Sequence, residues 1–116
     1  MPILYGIPNC NTVKKARQWL TENNIHYVFH DFKKLGIDLI HLNDWTKQVG
    51  LDVVINRQGN TWRHLDEQEK RSIETEASAF ELVQNHTSLI KRPVLEYQGR
   101  VWFGFSDELY AEIFDR

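Results

Sequence analysis

The chain has 116 residues, of which 41% are hydrophobic. The net charge is −2, because 14 lysine and arginine residues face 16 aspartate and glutamate residues. This length supports one domain with a real core, and the near-balanced charge gives no general attraction to nucleic acid or to anionic membranes. The single cysteine excludes an internal disulfide, a CxxC redox pair and a thiol-rich metal site, and the five histidines show no metal-binding spacing. Since the single cysteine suits a reducing compartment, no secretion signal opens the chain and no apolar stretch approaches ~18 residues, we expect a cytoplasmic protein. We expect a monomer, because nothing in the sequence indicates an obligate oligomer.

The first third of the chain has the pattern of a strand, a helix and a second strand. Apolar residues at spacings of three and four, Val13, Ala16 and Leu20, indicate the buried face of the helix. A β-rich run follows the Asn23-Asn24 pair that ends the helical pattern. We predict strands at about 2–6 and 26–31 and a helix at about 11–23.

The middle of the chain is typical of helices. Asp38 is placed to cap a helix that Gly50 ends, and Asp66 and Glu69 have the spacing of a capping box. A polar turn around residues 56–60 separates these two signals. The predicted helices are residues 38–49, one that begins near residue 66, and 77–86 with Phe80 and Val83 inward.

The last quarter of the chain indicates a hairpin and a helix. Gln98-Gly99 is a plausible two-residue turn between strands at 94–97 and 100–103, and Ser106 is placed to cap a final helix with Leu109 and Ile113 inward. The order β-α-β, helices, β-β-α predicts an α/β protein with a thioredoxin-like fold and a mixed four-stranded sheet. We predict one domain over residues 1–116, with a helical insertion at about 38–86.

The cysteine falls where the predicted first helix begins. Backbone N–H groups there lack carbonyl partners, and with the helix dipole they favour a negative charge, so Cys10 is a candidate thiolate nucleophile. The alternative is a small, buried and inert cysteine that happens to lie near a helix end. Asn9, Asn11 and Thr12 are candidates to bind the substrate or its adduct, or serve only as turn and cap residues. Lys14 adds positive potential or is simply solvated.

Three segments carry a resemblance to a known family. They are YGIPNCNTVKKA at 5–16, NRQGNTWR at 56–63 and LIKRPV at 89–94. In this order they resemble the ArsC/Spx family, most closely its YffB-like branch of small reductase-like proteins. The resemblance covers essentially the whole chain and implies a thioredoxin-like fold with a helical insertion.

The resemblance also implies a set of site residues. Cys10 matches the nucleophile of arsenate reductases coupled to glutathione and glutaredoxin, and Arg57 and Arg92 match two of the three arginines that hold the oxyanion. Arg92-Pro93 matches the arginine and cis-proline beside that cysteine, so Pro93 joins the expected glutathione-binding residues. The third arginine does not carry over, because its matching position is Gly104.

Three functions follow from these residues. The first is a glutathione-dependent thiol reductase with no bound cofactor, in which glutathione or a glutaredoxin resolves the Cys10 adduct formed with a small-molecule or protein disulfide. The second is arsenate reduction coupled to glutathione. The third is an Spx-like regulator that binds RNA polymerase, although Val13 stands where those regulators mostly have the second cysteine of a CxxC pair.

Overall fold

The computed structural model describes residues 1–116 and divides them into two compact units, 1–31 with 92–116, and 32–91. The strands of the first unit are β1 (Ile3–Gly6), β2 (Val28–Asp31), β3 (Val94–Tyr97) and β4 (Arg100–Phe103), and its helices are α1 (Asn11–Glu22) and α8 (Asp107–Phe114). The second unit contains α2 (Phe32–Leu35), α3 (Leu39–Val49), α4 (Leu51–Val54), α5 (Asn60–Arg63), α6 (Glu67–Arg71) and α7 (Glu76–Asn85). Short 3₁₀ turns at Ser72–Glu74 and Thr87–Leu89 complete it.

The sheet has the strand order β2-β1-β3-β4. The β1 strand pairs in parallel with β2 and antiparallel with β3, and β3 forms an antiparallel hairpin with β4. This mixed sheet confirms the predicted thioredoxin-like fold with a helical insertion. The single-domain organisation and the insertion bounds of about 38–86 stay a prediction; the helical unit of the structure runs from residue 32 to residue 91.

The core of the first unit lies between one face of the sheet and two helices. Leu4 of β1 and Leu95 of β3 lie opposite each other and contribute the sheet side. Ala16 and Leu20 of α1 and Tyr110 of α8 pack against them, and all five residues are fully buried. The spacing of apolar residues in the sequence therefore identified the buried face of α1 correctly. Both helices cover the same face of the sheet.

Local capping signals account for the helices that the sequence predicted in the second unit. The Asp38 side chain accepts a hydrogen bond from the His41 N–H at the start of α3, and Asp66 with Glu69 forms the predicted capping box of α6. The one-turn helices α2, α4 and α5 were not predicted. An antiparallel bridge between Ile55 and Ile90 joins the middle of this unit to its C-terminal end.

The remaining predicted elements differ from the structure only in detail. The β2 strand begins at Val28, two residues later than expected. Gln98 and Gly99 both have positive φ angles, as the predicted two-residue hairpin turn requires, and the Ser106 side chain caps α8. Leu109 and Ile113 are partly buried, whereas Tyr110 is the fully buried residue of α8. None of the helices combines the length and the apolar composition that a membrane span needs.

The hydroxyl group of Tyr110 gives a test of the core. It is buried and makes no hydrogen bond within the protein, and burial raises the pKa of Tyr110. We therefore expect Tyr110→Phe to leave the free energy of unfolding within about 1 kcal/mol of the wild-type value, or to raise it. Tyr5→Phe is the matched comparison, because the Tyr5 hydroxyl donates to the Glu96 carboxylate at 2.5 Å, and the loss of this hydrogen bond should cost about 1.5–3 kcal/mol. Urea unfolding of both variants checks this; equal losses would contradict it.

Candidate active site

Cys10 is the N-cap residue of α1, at the end of the turn that follows β1. Its backbone is extended, with φ −85° and ψ 126°, and its carbonyl accepts the first helical hydrogen bond from the Lys14 N–H at 3.0 Å. The Cys10 N–H donates to the Ile7 carbonyl at 3.1 Å, which closes the turn. The side chain is half-buried and therefore open to a reactant.

A close contact between β1 and α1 holds this turn in place. A Cβ atom built on Gly6 would lie 2.8 Å and 3.0 Å from the two γ-carbons of Val13, which is itself fully buried. Real Cβ atoms essentially never approach a carbon so closely, and the β-branched valine has little rotamer freedom to move away. Glycine at position 6 therefore lets the first turn of α1 lie directly against the end of β1.

Ionisation of the Cys10 thiol is governed by opposing effects. Burial of the sulfur disfavours the charged form, but the Val13 amide, a hydrogen bond from Arg92, the Thr12 amide and the positive charge of Arg92 outweigh it. The pKa of Cys10 is consequently lower than that of an ordinary cysteine. The Cys10 side chain makes no capping hydrogen bond to the helix in the structure.

Arg92 reaches Cys10 because of the sheet register. Tyr5 on β1 pairs with Val94 on the antiparallel β3, so Arg92, two residues before Val94, lies alongside the turn that follows β1. The Arg92–Pro93 peptide bond is cis, as expected, and the buried Pro93 accepts a hydrogen bond on its carbonyl from the Gly104 N–H at 2.9 Å. The structure thus brings Cys10 and Arg92 together within the first unit.

Arg57 lies in the second unit and has its own partners. Its Nη2 atom donates to Asp52 Oδ1 at 2.8 Å, and its guanidinium carbon lies 5.7 Å from the centre of the Trp62 ring. The exposed side chain thus faces Asp52 and Trp62 of its own unit. A role for Arg57 beside Cys10 stays a prediction.

The other predicted site residues surround Cys10 along the chain. Asn9 is exposed in the turn, and Asn11 and Thr12 are exposed as the first two residues of α1. Lys14 is exposed one turn into the helix. Of this group, the structure gives Thr12 a direct effect on the sulfur, through its backbone amide rather than its side chain.

The comparison with known families agrees with this arrangement. The ArsC family profile matches residues 5–113. The chain belongs to the ArsC family. A relative from Haemophilus influenzae of uncharacterised function is 42% identical over 114 residues, which cover 98% of this chain and 99% of that protein. The global transcriptional regulator Spx of Listeria innocua is 26% identical over 93% of this chain and 82% of its own length.

Solved structures of ArsC-family relatives have the same fold. The YffB protein superimposes with a TM-score of 0.90 at 48% identity, covering 97% of both chains. An arsenate reductase related protein from Brucella melitensis superimposes with a TM-score of 0.75 at 43% identity, covering 99% of this chain and 95% of that one. The predicted membership of the ArsC/Spx family, in its YffB-like branch, is confirmed.

Two features of this ArsC-family site were missed by the sequence prediction. Val13 was interpreted as a core residue and as the position without a second cysteine, yet its amide contributes the strongest effect that favours the thiolate. Gly6 was interpreted only as the residue where the first strand ends and the turn begins. A signal was present only for Gly6, because a glycine at the end of a strand is consistent with a close strand–helix approach.

Replacing Arg92 tests the electrostatics of the site. Because Arg92→Ala removes both the hydrogen bond and the charge, the pKa of Cys10 should rise, and the rate of alkylation by iodoacetamide at pH 6 should fall about three- to tenfold. The alkylation rate of Arg92→Lys should lie between those of the wild type and Arg92→Ala. Arg100→Ala, which removes an exposed arginine of the same unit, is the control and should follow the wild-type pH profile. An unchanged profile in Arg92→Ala would contradict the assignment.

Replacing Gly6 tests the strand–helix contact. Gly6→Ala should lower the free energy of unfolding by about 1–3 kcal/mol, because the added methyl group overlaps the Val13 side chain. It should also raise the pKa of Cys10, since displacement of Val13 moves its amide from the sulfur. Val13→Ala makes room, so the double variant should lose less than the sum of the single variants. Additive losses in thermal or urea unfolding would argue against the contact.

Proposed function

We propose that this protein is a glutathione-dependent thiol–disulfide reductase in which Cys10 is the nucleophile. The observation that carries the proposal is the lowered pKa of Cys10, produced by the α1 amides and Arg92 against the cost of burial. A thiolate available near neutral pH is what disulfide exchange requires. The ArsC-family membership and the arsenate reductase-like relatives support thiol-based redox chemistry in general terms.

The reaction proceeds in two exchanges. In the first, the Cys10 thiolate attacks one sulfur of the substrate disulfide; a Cys10–substrate disulfide forms, the original bond breaks, and the other sulfur leaves with the electron pair and takes a proton from water. Because the chain has no second cysteine, an external thiol must complete the cycle. Glutathione, or a glutaredoxin, supplies it.

For a glutathionylated substrate, Cys10 takes up the glutathionyl group and the substrate thiol is released. A second glutathione thiolate then attacks the Cys10–glutathione disulfide, so that oxidised glutathione leaves and the Cys10 thiolate returns. The electron pair gained by the substrate is thereby supplied by the glutathione thiols. Arg92 stabilises Cys10 as the attacking thiolate and again as the leaving group.

Mass spectrometry and a coupled assay test this function. Wild-type protein treated with oxidised glutathione should gain the mass of one glutathionyl group, even at pH 6, and should reduce a glutathionylated peptide in the presence of glutathione. Cys10→Ser keeps the size of the side chain and should do neither, because a serine hydroxyl is not ionised at this pH. Full peptide turnover by Cys10→Ser would sink the proposal, as would adduct formation only above pH 8.

Arsenate reduction is the second candidate, supported by the ArsC-family membership. The position expected to hold a third arginine is Gly104, whose φ angle of +87° is one that residues with a side chain rarely adopt. Without that arginine the oxyanion loses one bidentate partner. Arsenate-dependent oxidation of glutathione, measured with glutaredoxin present, decides between the two functions, and a rate at the blank level would exclude arsenate.

Regulation of transcription is the third candidate, supported by similarity to Spx. It needs a protein interface rather than a reactive thiol. A pull-down with the C-terminal domain of the RNA polymerase α subunit tests it, and no retention at micromolar concentration would argue against it.

A further inference from the structure

A cleft of about 590 Å³ lies in the first unit between α1 and the start of α8. Its α1 side includes Thr12, Lys15, Trp19 and Glu22, which share one helical face at spacings of three and four. The cleft therefore begins two residues from Cys10, at the residue whose amide favours the thiolate, and follows the helix for about 15 Å. This volume is typical of small-molecule sites.

Two aromatic rings that line the cleft pack against the core of the first unit. Trp19 and Phe105 line the cleft, and both rings meet the fully buried Tyr110 ring edge to face, at centroid distances of 5.7 Å and 4.7 Å. Contacts of this kind fix ring orientations in a packed core. A ligand with methylene groups can therefore contact a preformed surface, and binding carries no entropic cost of ordering these two rings.

The walls of the cleft carry charges of both signs. Lys15 is a cation, and Glu22 and Asp107 are anions. Glu22 accepts a hydrogen bond from Gln18, whereas the exposed Lys15 and Asp107 side chains have neither an ion pair nor a hydrogen bond in the protein. An inorganic oxyanion would meet one cation and two carboxylates. A zwitterionic ligand would find a partner for each of its charges.

We propose that this cleft binds the γ-glutamyl end of glutathione, with Asp107 facing the ammonium group and Lys15 facing a carboxylate. The proposal rests on the proposed function, in which the glutathione sulfur is joined to Cys10. An extended tripeptide spans about 10 Å, so a molecule held by its sulfur at Cys10 reaches into a cleft that opens at Thr12. The cleft then confers specificity for glutathione over a simple thiol.

Binding of two unreactive analogues tests the cleft. S-methylglutathione cannot form a disulfide, and its N-acetyl derivative also lacks the ammonium group. Wild-type protein should bind the first about two- to fivefold more tightly, the range of an exposed ion pair, by calorimetry or NMR titration. Asp107→Asn should bind both analogues equally, and Lys15→Gln should weaken both while keeping the preference for the free amine.

Glu108→Gln is the matched control. It removes a carboxylate from the same first turn of α8, but Glu108 does not line the cleft, so the wild-type preference should remain. Equal binding of the two analogues by wild-type protein, or a preference that survives in Asp107→Asn, would overturn the proposal.

A neutral disulfide separates this proposal from the proposed function. Bis(2-hydroxyethyl) disulfide carries no charge and needs no partner in the cleft, so wild-type Cys10 should react with it at pH 6. Normal reaction with this probe, combined with no discrimination between the analogues, overturns the cleft assignment alone. Failure of wild-type Cys10 to react with it at pH 6 overturns the reductase, and the cleft assignment falls with it.

Discussion

The contact between Gly6 and Val13 is the constraint on which the candidate site depends. It sets how closely the first turn of α1 lies against the end of β1, and therefore where the Val13 and Thr12 amides meet the Cys10 sulfur. A side chain at position 6 would force the helix away from the strand. The same valine is fully buried, so core packing and the ionisation of the thiol depend on one residue.

The site also depends on the return of the chain after the helical unit. Cys10 follows the first strand of the sheet, whereas Arg92 precedes the third, and 81 residues lie between them. Their meeting follows from the antiparallel register of β1 and β3, in which Tyr5 lies opposite Val94. Burial of the sulfur raises the pKa of Cys10, and both the helix amides and Arg92 lower it. With both sources of stabilisation present, the pKa of Cys10 is lowered although the sulfur is partly buried.

Elements with local chemical signals could be predicted from the sequence. Asp38, the Asp66–Glu69 box and Ser106 form caps within three residues, and Gln98-Gly99 forms its turn from its own backbone preferences. The one-turn helices α2, α4 and α5 are too short to show a period, so tertiary packing decides them. For the site, the position of Cys10 was predictable from the helix start. The Val13 amide was not, because its effect arises only when β1 and α1 come together.

Two separate features of the first unit point to the same kind of reactant. At Gly104, a φ angle of +87° and a hydrogen bond to the Pro93 carbonyl hold the backbone in a conformation unsuited to an arginine. In the cleft beside α1, Lys15 is accompanied by two carboxylates, so a small dianion gains little there. Both features weaken binding of a compact oxyanion, and neither weakens binding of an extended molecule with separated charges. Both features are therefore consistent with the proposed reductase function, in which the reactant is a peptide thiol with separated charges.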